Sequence, residues 1–387
     1  MNKIKDILKY SMGVAIRSFW LLIALFCPIK KNRIMFDSFL GKQYSCNPRA
    51  IYEKLCLEND NLEFVWAFKN TDNKNEFLKN NKTVICKYRS LKHYYYMITS
   101  ACIVYNWKIT YDMPVRKKQI LIQTWHGGGC YKTAGTGIKA NTDFHSRRMV
   151  NEISRATYYI SSSNYFSEKV IREQNQYKGN ILSIGMPRND VLFKNNQGLK
   201  SKIRKELNIS DDKYVILYAP TYRETMMSDA FEHIDCGRIK KVIAEKTGKD
   251  VVFMYRGHHN STSGGSSSFD KDVSDYYDMQ NLLLISDMLI SDYSSSIWDF
   301  SFTYRPCFLY TPDLEAYIET RGLDEDIYTW GFPVALSNDE LEAGIVNFNV
   351  NDFREKMNAH HEKLGSFENG RATEKVCGLI LKRLHIK

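Results

Sequence analysis

Proline is scarce, 8 residues in 387, and glycine stops at 21, which excludes a collagen-like, low-complexity or disordered chain. Nine cysteines occur, but no two form a CxxC pair and none joins a histidine at zinc-ligand spacing. An odd count without a framework excludes a disulfide-stapled secreted fold and points to reduced thiols filling the core of a cytosolic protein. Long apolar runs are also missing. Near the start the uninterrupted stretch is Phe19 to Cys27, where about 20 residues are needed to span a bilayer. A small-residue cleavage site does not follow it, which argues against a secretory leader.

Two familiar phosphate signatures are lacking: no GxGxxG follows the first strand and no GxxxxGK[ST] occurs anywhere. Hydride transfer and P-loop hydrolysis lose their main marks. "DKD" (270–272) and "DED" (324–326) imitate the Asp-x-Asp of metal-dependent sugar transferases. Neither ends an apolar strand, so both read as solvated loop charge, and neither a metal nor another cofactor is expected. A recognition-helix or RNP pattern is absent too, so nucleic acid is not an expected partner.

What the chain has is 43% hydrophobic residues, 13% aromatics and a net charge of +10. That is material for two packed domains with an anionic partner. The opening segment combines Lys3, Lys5 and Lys9, an aromatic-rich apolar patch and "KKNR". It reads as a helix lying in a membrane interface with its basic side towards anionic lipid; a buried first helix is the other reading. From residue 33, "RIMFDSF", "LEFVWAF", "TVICKY", "ACIVYN" and "QILIQTW" alternate with helical stretches such as "NPRAIYEKLCLE", "NEFLKNN" and "LKHYYYMITS". Short strands alternating with amphipathic helices mean a parallel sheet with crossovers. After the polar "KNNQGLKSK" a second series begins with "YVILYAP" and "DVVFMYRGHH". The expected division is an interfacial helix over 1–30, one α/β domain over 31–195, and a second α/β domain over 196–387 that ends in a basic helix.

In open α/β sheets ligands bind beyond the carboxyl ends of the strands. Four such ends carry chemistry. "QTWHGGGCYK" sets Trp125 and His126 against Gly127, Gly128 and Gly129, whose lack of side chains would let a ligand touch backbone. "YAPTYRE" offers Thr221 and Arg223, and "YRGHH" offers Arg256 with His258 and His259. "LISDYSSSIWDF" runs a buried strand into Asp292, Ser294 and Ser295 before a helix, where free N–H groups and hydroxyls could hold phosphate. Ordinary capping of that helix, with Ser296 and Asp299 as a capping box, is compatible with this.

Taken in order, "SFLGKQYSCNPRAIYEKL", "QTWHGGGCYK", "IGMPRNDVL", "YAPTYRE" and "ISDYSSSIWDF" resemble the CDP-glycerol glycerophosphotransferase family of teichoic-acid and capsule enzymes. The resemblance covers the chain from about residue 33 to 380. It implies a glycosyltransferase-B-like fold: two doubly wound, Rossmann-like α/β domains facing across a cleft. It implies transfer of an alditol phosphate, glycerol phosphate in the first instance, from a CDP-alditol to a hydroxyl of an undecaprenyl-diphosphate-linked or polyol-phosphate acceptor, with release of CMP. Such an enzyme would be cytoplasmic and held peripherally at the inner leaflet. By the same resemblance His126 is the base and His258, with His259 as the alternative, a second catalytic histidine. Thr221, Arg223, Arg256, Asp292, Ser294, Ser295 and, from "ENGRATEKV", Arg371 serve the donor phosphates, and Trp125 and the three glycines serve the acceptor. The chain departs from the family pattern at "WHGGGCYK", where members commonly read WHGTPLK, and at "RGHH", where they read K-x-H-P. The rival readings are a nucleotide-sugar glycosyltransferase of the same fold and a non-catalytic basic membrane- or nucleic-acid-binding protein.

Overall fold

A computed structural model of the protein describes residues 2–72, 83–138, 143–221, 234–257 and 268–386. The helical stretch expected at 75–81, together with Arg223, His258 and His259, lies outside the described residues. The chain divides into two compact units: Met1–His126 with Ala134–Asp190 and Phe367–Lys387, and Gly127–Thr133 with Val191–Ser366.

The first unit is built on seven parallel strands in the order β3-β2-β1-β4-β5-β6-β7. They are β1 (Lys30–Asp37), β2 (Glu63–Phe68), β3 (Val84–Lys87), β4 (Ser100–Tyr105), β5 (Ile120–Gln123), β6 (Tyr158–Ser161) and β7 (Asn180–Ser183). Alternate residues of these strands point to opposite faces of the sheet. On one face Met35, Val65, Ile103 and Leu121 form a buried cluster. Trp20 of helix α1 (Asn2–Ile23), Ala24 of the turn after it, and Met97 and Ile98 of α3 (Leu91–Thr99) join that cluster. On the other face Phe36 and Trp66 stack, their ring centroids 5.4 Å apart, and Tyr52 of α2 (Cys46–Glu58) meets both edge-on.

The second unit repeats the plan. Six parallel strands run in the order β10-β9-β8-β11-β12-β13: β8 (Tyr214–Tyr218), β9 (Val251–Tyr255), β10 (Lys271–Asp272), β11 (Met288–Ser291), β12 (Cys307–Tyr310) and β13 (Val334–Ala335). In each sheet the direction of chain progression reverses once, between β1 and β4 and between β8 and β11. Those switch points are where a doubly wound sheet opens a crevice at its carboxyl edge.

Two expectations need correction. The basic C-terminal helix, placed by chain order in the second domain, belongs to the first unit. There Asp190 accepts from the N–H groups of Ala372 (3.0 Å) and Thr373 (2.7 Å), so a carboxylate sits at the helix's positive end. The acidic triplets are also not simply solvated. Asp270 accepts from Phe253 N at 2.7 Å, and Asp324 accepts from the Thr133 hydroxyl at 3.2 Å. All nine cysteines are free thiols.

Candidate functional site

His126 follows β5, next to β4 and one strand removed from the switch point of the first unit. The two residues before it are held tightly. Asn47 donates to the carbonyls of Thr124 (3.0 Å) and Trp125 (3.1 Å), and Gln123 Oε1 accepts from Trp125 N at 2.9 Å. Trp125 pays for this turn with a left-handed backbone, φ 55°, which is unfavourable for a side-chain-bearing residue. Arg188, itself buried, donates to the His126 carbonyl.

The His126 ring is stacked between indoles, with centroids 4.5 Å from Trp107 and 4.8 Å from Trp125, and Phe39 meets it edge-on at 5.5 Å. Its Nδ1 lies 3.0 Å from the carbonyl oxygen of Asn106. A carbonyl can only accept, so Nδ1 carries the proton, and in the neutral ring the lone pair is on Nε2. The ring is neither exposed nor sealed in the core but half-buried.

Two of the three glycines, Gly128 and Gly129, lie against aromatic rings. The chain passes from the first unit to the second between His126 and Gly127, so the glycines cluster with the second unit. A Cβ on Gly128 would lie 2.0 Å from Trp298 Cδ1, and one on Gly129 would lie 2.2 Å from Tyr131 Cε2. Packing against rings thus demands at least two of the three. The Tyr131 hydroxyl and His360 Nε2 in turn share a hydrogen bond of 3.0 Å, burial holding the phenol well above its usual range and the imidazole down at about 4.

In the second unit the ends of β9, β8 and β11 lie side by side. Asp292 after β11 accepts from Thr221 after β8, through the backbone N (2.8 and 3.0 Å) and the hydroxyl (2.6 Å). The proton of Thr221 is therefore committed to Asp292, and the pair braces the switch point. Ser294 Oγ accepts from Ser296 N at 3.3 Å and from the Ser296 hydroxyl at 3.0 Å, at the start of the short helix α4 (Ser296–Ser301). The capping box does not form, because Asp299 accepts instead from Gln280 at 2.9 Å. Ser295 is half-buried. At the end of β9 the Arg256 guanidinium is buried, and Nη1 has no hydrogen-bond partner among the described residues. Burial lowers its pKa, opposed by Asp278 and Tyr276. A buried donor of this kind calls for an acceptor.

Arg371 belongs to the first unit, not to the second. It is exposed at the N-terminal edge of the last helix, in the first unit, and forms a bidentate pair with Glu374 (3.0 and 2.9 Å). Sequence reasoning missed Asn47, Asn106, Trp107 and Arg188. The available signal was the polar residues that end otherwise apolar runs in "ACIVYN" and "IGMPRN".

Comparison with known proteins adds to this geometry. Residues 20–382 match the family described as CDP-glycerol:poly(glycerophosphate) glycerophosphotransferase. A teichoic acid poly(glycerol phosphate) polymerase of Bacillus spizizenii is 34% identical over 344 residues, 84% of this chain and 85% of its own. A teichoic acid glycerol-phosphate transferase of Staphylococcus aureus is 30% identical over 401 residues, covering 98% of this chain and 99% of that one. Among solved structures, the wall teichoic acid polymerase TagF is similar with a TM-score of 0.84 at 29% identity, over 99% of this chain and 98% of the other.

Proposed function

The chain belongs to the CDP-glycerol:poly(glycerophosphate) glycerophosphotransferase family, and we propose from that premise that it transfers glycerol phosphate from CDP-glycerol to a hydroxyl of a glycerophosphate-bearing, lipid-linked acceptor in wall-polymer synthesis. The acceptor oxygen attacks the β-phosphorus. The bond from that phosphorus to the bridging oxygen breaks, its electron pair leaves with CMP, and the acceptor proton goes to Nε2 of His126. The observation that carries this reading is the Nδ1–Asn106 bond of 3.0 Å, which leaves the lone pair on the other nitrogen. A polyol hydroxyl is a weak nucleophile, and a positioned base contributes about 10²–10⁴-fold. CMP is a good leaving group, since its phosphate protonates near pH ~6, so acid assistance matters less.

On the donor side, positioning and charge neutralisation dominate phosphoryl transfer. Arg256, whose buried Nη1 meets no acceptor among the described residues, and the Ser294 and Ser295 hydroxyls are the proposed phosphate contacts; Thr221 and Asp292 shape the turn beside them. Arg223 and His258 are proposed for the same role from the family pattern alone. Arg371 is already paired to Glu374 and has no such support.

The proposed membrane contact rests on α1 and the turn that follows. Gly13 packs on Tyr111, and Trp20 and Ala24 are buried in the first unit. Leu8, Met12, Phe19, Leu22 and Phe26, spaced at three and four residues or multiples of seven, are each more than half exposed. One face is core and the opposite face is an apolar stripe suited to a lipid interface. No helix among the described residues is long and apolar enough to cross a membrane.

The decisive experiment is His126→Ala. Turnover of CDP-glycerol to CMP should be lost, by at least the 10²–10⁴-fold of base catalysis, with donor affinity largely unchanged. Near-normal turnover would remove the base assignment, and release of UDP from a UDP-sugar in place of CMP would favour the glycosyltransferase reading.

A further inference from the structure

The turn after β1 is unusual for the residues it uses. Phe39, Leu40 and Gly41 are consecutive in the left-handed region, with φ of 50°, 56° and 75°. Only the third is a glycine, and a side-chain-bearing residue there costs about 1–2 kcal/mol. A turn of that kind persists only where its surroundings dictate it.

Here the surroundings are bonds to neighbouring strand ends. Asp37 Oδ1 accepts from Gly41 N at 2.7 Å, and Gly41 O accepts from Lys69 N at 2.7 Å. Phe39 N donates to Asn106 Oδ1 at 2.8 Å, while Asn106 Nδ2 donates to Ser38 Oγ at 3.2 Å. The Ser38 hydroxyl in turn donates to Ser45 O at 3.1 Å.

Asn106 is thus the residue at which this strained turn and His126 meet. It is completely buried. Its side chain holds both Ser38 and Phe39, and its main-chain oxygen takes the Nδ1 proton of His126. Phe39, fixed by the first bond, sets its ring against the imidazole at 5.5 Å. Such an arrangement has a physical rationale beyond packing. Many histidine bases are oriented by a carboxylate. Beside a diphosphate, a carboxylate would add like-charge repulsion, whereas an amide carbonyl fixes the tautomer with a dipole alone.

We infer that Asn106 is a positioning residue for the transfer: its side chain anchors the left-handed Phe39–Gly41 turn, and its carbonyl keeps the His126 proton on Nδ1, so that the Nε2 lone pair is held ready for the acceptor hydroxyl. The inference rests on His126 being the base.

The test compares full-length wild type with Asn106→Ala, Ser38→Ala and His126→Ala. Three quantities are read: kcat and KM for CDP-glycerol with a short soluble glycerol-phosphate acceptor, the melting temperature, and the imidazole ¹⁵N spectrum, with His126 assigned by its loss in His126→Ala. Asn106→Ala should lower kcat by about 10–100-fold, the range in which groups orienting a functional histidine act, with KM for CDP-glycerol within about twofold. The His126 signals should change from one Nδ1-protonated tautomer to a mixture. Ser38→Ala, which removes the acceptor of Asn106 Nδ2 together with the Ser38–Ser45 bond but leaves the Phe39–Asn106 bond in place, should shift kcat and tautomer in the same direction to a smaller extent; it carries the test if Asn106→Ala does not fold. Unchanged kcat in the folded variants, or a loss of kcat with the tautomer intact, overturns the inference. Should His126→Ala itself turn over normally, the base reading fails first, and the two failures are told apart.

Discussion

Trp298 lies so close to the backbone of Gly128 that a methyl group there would meet Cδ1 at 2.0 Å and Nε1 at 2.4 Å. The indole is completely buried and edge-packed on Phe302 and His361, so it has nowhere to retreat. Gly128→Ala is therefore an overpacking change, expected to cost about 1–3 kcal/mol or more. Chemical denaturation should show it, with Gly128→Ala/Trp298→Leu recovering part of the loss. Unaltered stability of the single variant would mean that the glycines serve the ligand after all.

Acid should unfold the second unit early. Burial, chiefly, holds His360 at about 4 and His361 at about 3, against an unfolded value near ~6.5. Both rings are neutral when folded, so below that value the unfolded chain binds more protons. Their contribution is complete above about pH 6.5 and fades as pH falls towards 4, by roughly 2–3 kcal/mol per ring. Urea midpoints at pH 7 and pH 4.5 measure this, and a His360→Gln/His361→Gln variant should show a flatter dependence. His93 of the first unit, lowered to about 4 by burial, adds with the same sign.

Arg256→Met keeps much of the side-chain stem and removes the guanidinium. CDP-glycerol binding, measured by calorimetry, should weaken about 10–100-fold, as expected for losing a charged hydrogen bond of about 1.5–3 kcal/mol. The melting temperature should hold or rise, since a buried donor that meets no acceptor among the described residues is a liability when no ligand is bound. Equal affinity in the variant would exclude Arg256 from the phosphate site.

Deleting residues 1–30 would strip Trp20 and Ala24 from the first core, so membrane attachment is better tested on the outer stripe. A Phe19→Ser/Leu22→Ser/Phe26→Ser variant should fold normally and lose at least about tenfold in partitioning to anionic liposomes, given about 1.5–3 kcal/mol for each large apolar side chain fully buried. Retained binding would shift the contact elsewhere.

Most of the architecture was written locally. Most strands of four or more residues coincide with an apolar run visible in the sequence, because a strand buried on both faces must be apolar at nearly every position; the edge strand β7 has only Ile181 and Leu182 to show, and none of its residues is fully buried. The two-residue strands β10 and β13 escaped, being too short to carry a pattern. The site was legible in part for the same reason: His126, Thr221, Arg256 and Asp292 all follow such runs, and a parallel sheet aligns its strand ends on one edge.

Other assignments depended on contacts between distant segments, which no local pattern encodes. Asn106 and His126 are 20 residues apart and Ser38 is 68 from Asn106; only the strand order β1-β4-β5 makes them neighbours. The last helix packs on α2 and β4 of the first unit, and Asp190 caps it across 182 residues. Local apolar periodicity determined the strands and many of the helices. Tertiary structure decided which side chains hold the histidine, which unit owns the glycines and the final helix, and where the imidazole keeps its proton, because hydrogen bonds and steric fit are settled only when remote parts of the chain meet.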